Sequence, residues 1–286
     1  MKVLGVDIGG TNIRAGLIDN NALIRVESMK LKKHGTEQEI IDDLNFIIKK
    51  FMSEKIEAIG IGVPSLVDAV KGIVYDAANI PAWKKVNLKE QIETRNKIPV
   101  YLNNDANCFV IGEKYFGEAK NYKNIVGLII GTGLGSGLIL NNHLYNGNNY
   151  GAGEFGMIPY KDHNYEYYCS GQFFINEFGV NGEEVFRQAE LEDEKAWNIF
   201  ARFGNHLGEA VKTILFAVDP EIIVIGGSVR KSYKYFENSM RDSINDFSYK
   251  QSLESLKISV SKVEYSAILG AAALCYEAFE KTSPSG

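Results

Sequence analysis

Two glycine-rich segments of the sequence have the composition of phosphate-binding turns. The first, Asp7-Ile8-Gly9-Gly10-Thr11, ends an apolar run and carries an acid, two glycines and a hydroxyl residue. The second, residues 131–137, has four glycines and two hydroxyl residues in seven positions. Glycine lets backbone N–H groups approach an anion, and a carboxylate beside them suits a phosphate with its Mg²⁺. The structural alternatives are an ordinary Gly-Gly hairpin and a bulged strand.

A third cluster, Asn103-Asn104-Asp105-Ala106-Asn107, stands between a predicted strand and a predicted helix. Asn and Asp are good helix N-caps, and that is its structural interpretation. Three amides and one acid exceed what a cap requires. A carboxylate at a helix start, beside amides that can hold sugar hydroxyls, suits a general base acting on an alcohol.

A further glycine turn, Gly226-Gly227-Ser228, follows a predicted buried strand. Here an adenine or a ribose could lie directly against the backbone, because glycine has no side chain to exclude it.

The elements that must position these residues repeat one pattern. Strand, glycine turn, strand occurs near residue 9 and again near residue 133, which indicates two related α/β halves. Thr36 and Glu39 form a predicted capping box at the start of the first helix. Strands are predicted at 3–8, 13–18, 23–31, 58–63, 73–76, 99–103, 125–131, 133–140, 143–145, 222–225 and 258–261. Helices are predicted at 36–53, 88–94, 106–115, 182–190, 193–218, 234–246 and 267–280.

Composition and charge narrow the class of protein. The 286 residues are 45% hydrophobic and 23% charged, as in a soluble globular protein, and the net charge of −5 gives no electrostatic footprint for nucleic acid. No apolar run reaches the roughly 18–20 residues that span a membrane, and no signal peptide precedes the first strand. The three cysteines are far apart, which favours a reducing compartment. We therefore expect a cytoplasmic protein without nucleic-acid or membrane partners.

In their order and spacing these motifs resemble those of the ROK-family sugar kinases, within the actin/hexokinase/Hsp70 ATPase superfamily. The resemblance covers essentially the whole chain. It also rests on Gly62-Val63-Pro64-Ser65, Asn79-Ile80-Pro81-Ala82-Trp83 and Gly153-Glu154-Phe155-Gly156. It implies two actin-like (ribonuclease H-like) α/β domains with mixed sheets around a central cleft. Their expected bounds are 1–108 with 268–282, and 109–267.

The resemblance also implies a reaction and its site. Asp105 matches the general base that takes the proton from the 6-hydroxyl of a hexose, and ATP is the expected phosphoryl donor. Asp7 matches an acid near Mg²⁺ that acts through water. The implied sugar contacts are Ser65, Asn79, Asn104, Asp105 and Glu154. The implied ATP and phosphate contacts are Asp7, Gly9, Gly10, Thr11, Asn12, Thr132, Gly133 and Gly227.

One segment departs from the family pattern. The position where the family usually has a zinc-binding histidine is Met157, and Cys169 stands without the usual further cysteines. A closed tetrahedral zinc site needs four ligands, so we expect no zinc. Gln172 is a candidate replacement for a family glutamate that follows the zinc cysteines, and the aromatic run 165–174 is expected to hold this loop by packing. His206 is expected to be a surface or capping residue.

Glucose is the predicted substrate, because Glu154 matches a residue that marks pyranose sugars in the family. N-acetylmannosamine kinase, N-acetylglucosamine kinase and fructokinase remain alternatives. A non-catalytic sugar sensor is the alternative from another class, since the family includes repressors. Those carry an N-terminal helix-turn-helix, for which the chain has no room before its first strand. A homodimer is expected because it is common in the family.

Overall fold

The structure is a computed structural model that describes residues 1–77 and 80–282, with side chains up to residue 280. The strands are β1 (Lys2–Ile8), β2 (Asn12–Asp19), β3 (Ala22–Lys30), β4 (Ala58–Val63), β5 (Leu66–Asp68), β6 (Ile73–Tyr75), β7 (Lys85–Val86), β8 (Val100–Asn104), β9 (Ile125–Ile130), β10 (Leu134–Leu140), β11 (His143–Leu144), β12 (Pro159–Tyr160), β13 (His163–Asn164), β14 (Ile222–Gly226) and β15 (Lys257–Val260). The α-helices are α1 (Glu37–Lys49), α2 (Leu88–Asn96), α3 (Asp105–Phe116), α4 (Tyr165–Cys169), α5 (Gly171–Phe178), α6 (Gly182–Glu190), α7 (Glu194–Val218), α8 (Tyr233–Ile244), α9 (Lys250–Ser255) and α10 (Ser266–Thr282). Short 3₁₀ helices are Met52–Glu54, Phe155–Met157 and Ser228–Ser232.

The chain forms two compact units. Unit 1 contains Met1–Lys120, His143–Ala152 and the chain from Val263 onward, and unit 2 contains Asn121–Asn142 and Gly153–Lys262. The domain bounds expected from the sequence stay a prediction. Helix α3, which crosses the expected boundary after residue 108, lies wholly in unit 1.

The main sheet of unit 1 has the strand order β3-β2-β1-β4-β8. Strands β1, β2 and β3 are antiparallel, whereas β4 runs parallel to β1 and to β8. Helix α1 covers one face with its apolar stripe, and α10 packs on the other. A side chain at Gly5 or Gly60 would overlap the backbone of α10 at Ile268 or Ala271, so these strand positions must stay bare for the helix to approach.

The start of α1 confirms the predicted capping box. The Thr36 Oγ1 accepts the Glu39 N–H at 3.3 Å, and the Glu39 Oε2 accepts the Thr36 N–H at 2.7 Å. Both donors are among the N–H groups that a helix start leaves unpaired.

In unit 2, strands β10, β9, β14 and β15 lie side by side in that order. The first pair is antiparallel and the other two pairs are parallel. This is the arrangement of β2, β1, β4 and β8 in unit 1. The predicted repetition of one α/β pattern is therefore confirmed at the level of sheet topology.

The segment expected as a loop at 165–174 is helical instead. Asn164 accepts the Tyr167 N–H at 2.9 Å and starts α4, and Ser170 accepts the Gln172 N–H at 3.2 Å and starts α5. These two N-caps explain why short aromatic helices form here.

In the part of the chain that the structure describes, no helix has the length and apolar character needed to cross a bilayer.

Candidate functional site

The first glycine turn lies in unit 1 and joins β1 to β2. The Gly9 N–H donates to the Asn12 carbonyl at 2.9 Å, and the Asn12 side-chain amide donates to the Thr11 Oγ1 at 3.0 Å. The turn joins two antiparallel strands, as the hairpin alternative predicts, but neither Gly9 nor Gly10 has the positive φ of a type I′ turn. Within the described residues, the N–H groups of Gly10 and Thr11 have no acceptor. The turn therefore presents two free donors of the kind that bind a phosphate.

Asp7 stands next to this turn, near the end of β1. Burial raises its pKa from 3.8 to about 6, Arg14 opposes that rise, and the charge of Asp105 adds to it. Arg14 is the residue directly opposite Asp7 on β2. The carboxylate oxygens of Asp7 are hard ligands. Such ligands suit Mg²⁺, which is usually held by one or two carboxylates together with substrate phosphates. The residues present fit the expected magnesium ion.

Asp105 is the first residue of α3, at the end of β8. The Asn104 side-chain oxygen caps the helix by accepting the Asn107 N–H at 2.7 Å, which fixes the backbone on both sides of Asp105. Asp105 is an exposed residue. Surrounding protein atoms nevertheless desolvate the carboxylate and raise its pKa. A raised pKa makes a carboxylate a better proton acceptor.

Two further residues of unit 1 were expected as sugar contacts. The Ser65 Oγ, just after β4, is buried and has no hydrogen-bond partner in the described chain. A buried hydroxyl without a partner is costly, so a ligand hydroxyl is a natural partner for it. Asn79 lies outside the described residues.

The second glycine turn lies in unit 2, between β9 and β10, and is held by the helices that follow it. The Gly171 N–H donates to the Gly131 carbonyl at 2.7 Å. The Glu166 Oε2 accepts the Leu134 N–H at 2.9 Å. Within the described chain, the N–H groups of Thr132 and Gly133 are left without acceptors, as in the turn of unit 1.

The third glycine turn follows β14 and packs against the end of β9. Gly227 has φ of +80°, and a side chain there would overlap the carbonyl oxygen of Ile130. Only glycine meets both conditions. Gly227 therefore packs directly against the end of β9, which brings Ser228 beside the second turn. The adenosine contact at Gly227 stays a prediction.

A cavity of about 620 Å³ opens beside the second and third glycine turns, both of which lie in unit 2. Glycine-turn backbone forms one part of its wall, and Phe174, Phe186 and Phe200 form an apolar part. Among the charged residues of the wall, Arg187 is paired with Glu184, and Lys231 and Glu183 carry opposite charges. Apolar walls with a few polar groups are typical of small-molecule sites, and this combination fits a base, a ribose and phosphates.

Two expected sugar contacts belong to unit 2. Glu154 is exposed and precedes the 3₁₀ helix that ends in Met157. Gln172 lies in the wall of the cavity, and its Nε2 is 3.4 Å from the Glu166 Oε1. Glu166 itself was missed, because an acid in the first turn of a helix is ordinary and nothing local shows that it reaches the second turn.

The segment that differs from the family pattern, around residues 157–174, is held by side-chain packing. The Tyr160 hydroxyl and the His206 Nδ1 are 3.1 Å apart, and the Tyr160 and Tyr165 rings stack at 4.6 Å. Cys169 is buried, and burial raises the pKa of its thiol. The described residues contain no group of three or more metal-binding side chains, so they do not fit the family's zinc. The absence of zinc from the protein stays a prediction. The expectation for His206 is wrong, since its exposed fraction is 7%.

The model of the ROK family matches residues 3–278. The chain belongs to the ROK family. Glucokinase of Thermotoga maritima is 28% identical over 97% of this chain and 98% of its own length. The xylose repressor of Bacillus subtilis is 30% identical over 87% of this chain and 70% of its own length.

Among solved structures, a ROK family glucokinase from Streptomyces griseus in complex with glucose and AMPPNP is 25% identical. It matches 96% of this chain and 99% of its own with a TM-score of 0.78. This likeness confirms the predicted actin-like α/β fold. The relatives of this ROK chain include sugar kinases and a repressor, so family membership by itself does not separate the two functions.

Proposed function

We propose that this ROK-family chain is an ATP-dependent hexose kinase that phosphorylates glucose at the 6-hydroxyl. One observation carries the proposal. Strands β1, β4 and β8 are parallel neighbours in unit 1, so their carboxyl ends share one edge of the sheet. Asp7, Ser65 and Asp105 stand at or just beyond these ends. Ligands of parallel α/β sheets bind at this edge.

Asp105 acts as the general base of the proposed reaction. Its carboxylate takes the proton of the 6-hydroxyl while that oxygen bonds to the γ-phosphorus of ATP. The bond from the γ-phosphorus to the bridging oxygen breaks, and ADP leaves with its electron pair. The chain contributes mainly positioning, as is usual in phosphoryl transfer.

The glycine turns and Asp7 hold the phosphates in this proposal. The free N–H groups of Gly10 and Thr11 in unit 1, and those of Thr132 and Gly133 in unit 2, donate to phosphate oxygens. Bound Mg²⁺ supplies positive charge against the negative charge of the transferred phosphoryl group. Asp7 holds it, through water as the resemblance implies.

The cavity of unit 2 is the proposed adenosine site. Gly227 lets the third turn pack against β9, so that Ser228 lines the space for the nucleoside. The three phenylalanines offer apolar contact, and Lys231 attracts the phosphates. Glucose is proposed as the acceptor because glucokinases are among the relatives. N-acetylglucosamine, N-acetylmannosamine and fructose are the alternative acceptors, with Ser65, Asn79, Asn104, Glu154 and Gln172 as candidate contacts. A cytoplasmic homodimer is part of the same proposal.

The test is ATP-dependent phosphorylation of glucose, mannose, fructose, N-acetylglucosamine and N-acetylmannosamine, with Mg²⁺ present. We expect one preferred hexose and its 6-phosphate as product. Asp105→Asn should lower kcat by about 10²- to 10⁴-fold. Asp19→Asn is the matched control, because Asp19 lies at the far end of β2 from the first glycine turn and forms a 3.9 Å surface ion pair with Lys2. A folded parent protein that binds ATP but converts no sugar would contradict the proposal.

A further inference from the structure

The segment 144–152, which begins at the end of β11, belongs to unit 1 and contacts the start of α3. The Leu144 N–H donates to the Glu277 Oε1 of α10 at 3.2 Å, and the Ala152 N–H donates to the Asn146 carbonyl at 3.2 Å. These two bonds hold the ends of the segment 144–152. Its side chain at Asn146 is half-buried, whereas Asn148 is exposed.

Asn146 accepts two hydrogen bonds from the motif that carries Asp105. Its Oδ1 lies 2.9 Å from the Asn103 Nδ2 and 3.0 Å from the Asn107 Nδ2. The Asn107 Nδ2 also donates to the Asn103 Oδ1 at 2.9 Å. The Asn107 Oδ1 has no partner in the described chain, so the protein anchors this buried side chain through its Nδ2 alone.

The two bonded asparagines stand on either side of Asp105. The Asn103 Oδ1 also accepts the Asn104 N–H at 2.9 Å. The Asn104 Oδ1 in turn accepts the Asn107 N–H. Asp105 therefore lies in the short stretch 103–107, and the side chains of Asn103 and Asn107 in this stretch both donate to Asn146.

We infer that Asn146 is a positioning residue for the proposed base: its side-chain oxygen fixes Asn103 and Asn107, and through them the backbone that carries Asp105. The inference rests on the proposed kinase function. Asn146 supplies one acceptor to two buried donors, which the other polar residues of its segment do not do. Preorganisation of this kind is what a catalytic group needs from the residues that surround it.

The first experiment separates positioning from sugar binding. Asn146→Ala should lower kcat for the preferred hexose at least tenfold, with the KM for that hexose changed less than threefold. Asn146→Asp keeps an oxygen acceptor of the same length and should restore most of kcat at its own optimal pH. Asn148→Ala, in the same segment, should match the parent protein. An Asn146→Ala protein with parental kcat, or an Asn146→Asp protein that is folded and as slow as Asn146→Ala, would overturn the inference.

The second experiment needs no turnover, so it remains decisive if the kinase proposal fails. Amide hydrogen exchange is measured at Asn107, whose N–H is held by the Asn104 cap. Asn146→Ala should speed this exchange at least tenfold, and Asn146→Asp and Asn148→Ala should leave it near the parental rate. Equal exchange in parent and Asn146→Ala would show that Asn146 does not hold the motif. A parent protein without kinase activity would count against the proposed function, but not against the inference that Asn146 holds the motif.

Discussion

At the residue scale, His206 is a buried base whose charge the fold opposes. Burial lowers its pKa from 6.5 to about 4, and the nearby positive charge of Lys161 acts in the same direction. The folded protein thus binds this proton less tightly than the unfolded chain does. The contribution of neutral His206 to the free energy of unfolding should be fully present above pH 6.5, and it should be lost as the pH falls toward 4.

We expect the free energy of unfolding to fall by about 1–2 kcal/mol between pH 7.5 and pH 5 through His206 alone. His206→Gln removes the titrating ring and keeps a group that can bond the Tyr160 hydroxyl, so this part of the pH dependence should disappear. The measurement is urea unfolding of both proteins across that range. His34→Gln, at an exposed position, is the control and should retain the parental slope. A His206→Gln protein with the parental slope would show that His206 does not carry the effect.

Residue types were sufficient to select candidate site residues, which stay predictions, but not to find the contacts made across the fold. The acid, glycine and amide motifs are local in sequence, so Asp7, Asp105 and the turns could be found without a structure. Arg14 and Glu166 could not, because their relevance depends on a cross-strand register and on a helix that returns to a distant turn. His206 was misjudged for the same reason, since its burial arises from partners distant in sequence.

At the element scale, the turn after β14 combines two separable constraints. Gly227 needs its positive φ and also lacks room for a side chain against Ile130. Gly179, which ends α5, has φ of +70° but no atom within 4 Å of an added Cβ. The pair therefore distinguishes the cost of backbone strain from the cost of steric overlap.

Gly179→Ala should lose about 1 kcal/mol of stability, the ordinary penalty for a left-handed residue with a side chain. Gly227→Ala should lose about 3 kcal/mol or more, because overlap with β9 adds to the strain. It should also weaken ATP binding more than tenfold, since the turn borders the cavity of unit 2. Urea unfolding and calorimetric titration with AMPPNP measure the two effects. Equal losses of stability in both variants would mean that the Gly227 turn relaxes without overlap.

Element prediction succeeded where the signal was local and periodic. The capping box at Thr36 and the apolar stripe of α1 were sufficient to place that helix, although it ends at Lys49 rather than at 53. The segment 165–174 gave no periodicity, because α4 and α5 are too short to repeat a stripe. Asn164 and Ser170 were the available signals, but single capping residues also occur in loops.

At the scale of the whole molecule, the two units repeat one sheet topology with different side chains. The sequence shows this repetition only at the two glycine turns, where backbone geometry restricts the choice of residue. Between the turns, any apolar residues of suitable volume satisfy a strand core, so the relationship is invisible there. The division of the chain is harder to infer, because segment 143–152 belongs to unit 1 while its flanking strands pack in unit 2.

Ligand-linked stability can separate a kinase from a non-catalytic sugar sensor. A ligand at 100 times its Kd stabilises the folded protein by about 2.7 kcal/mol, which should raise Tm by several degrees. We expect the preferred hexose to raise Tm in both the parent and Asp105→Asn, while only the parent forms sugar phosphate. L-glucose at equal concentration controls for the general stabilisation that sugars exert as osmolytes. A sensor would give the hexose shift in both proteins and a product in neither. If no hexose exceeded the L-glucose control, sugar binding itself would be excluded, and the buried Ser65 hydroxyl would have to find another partner.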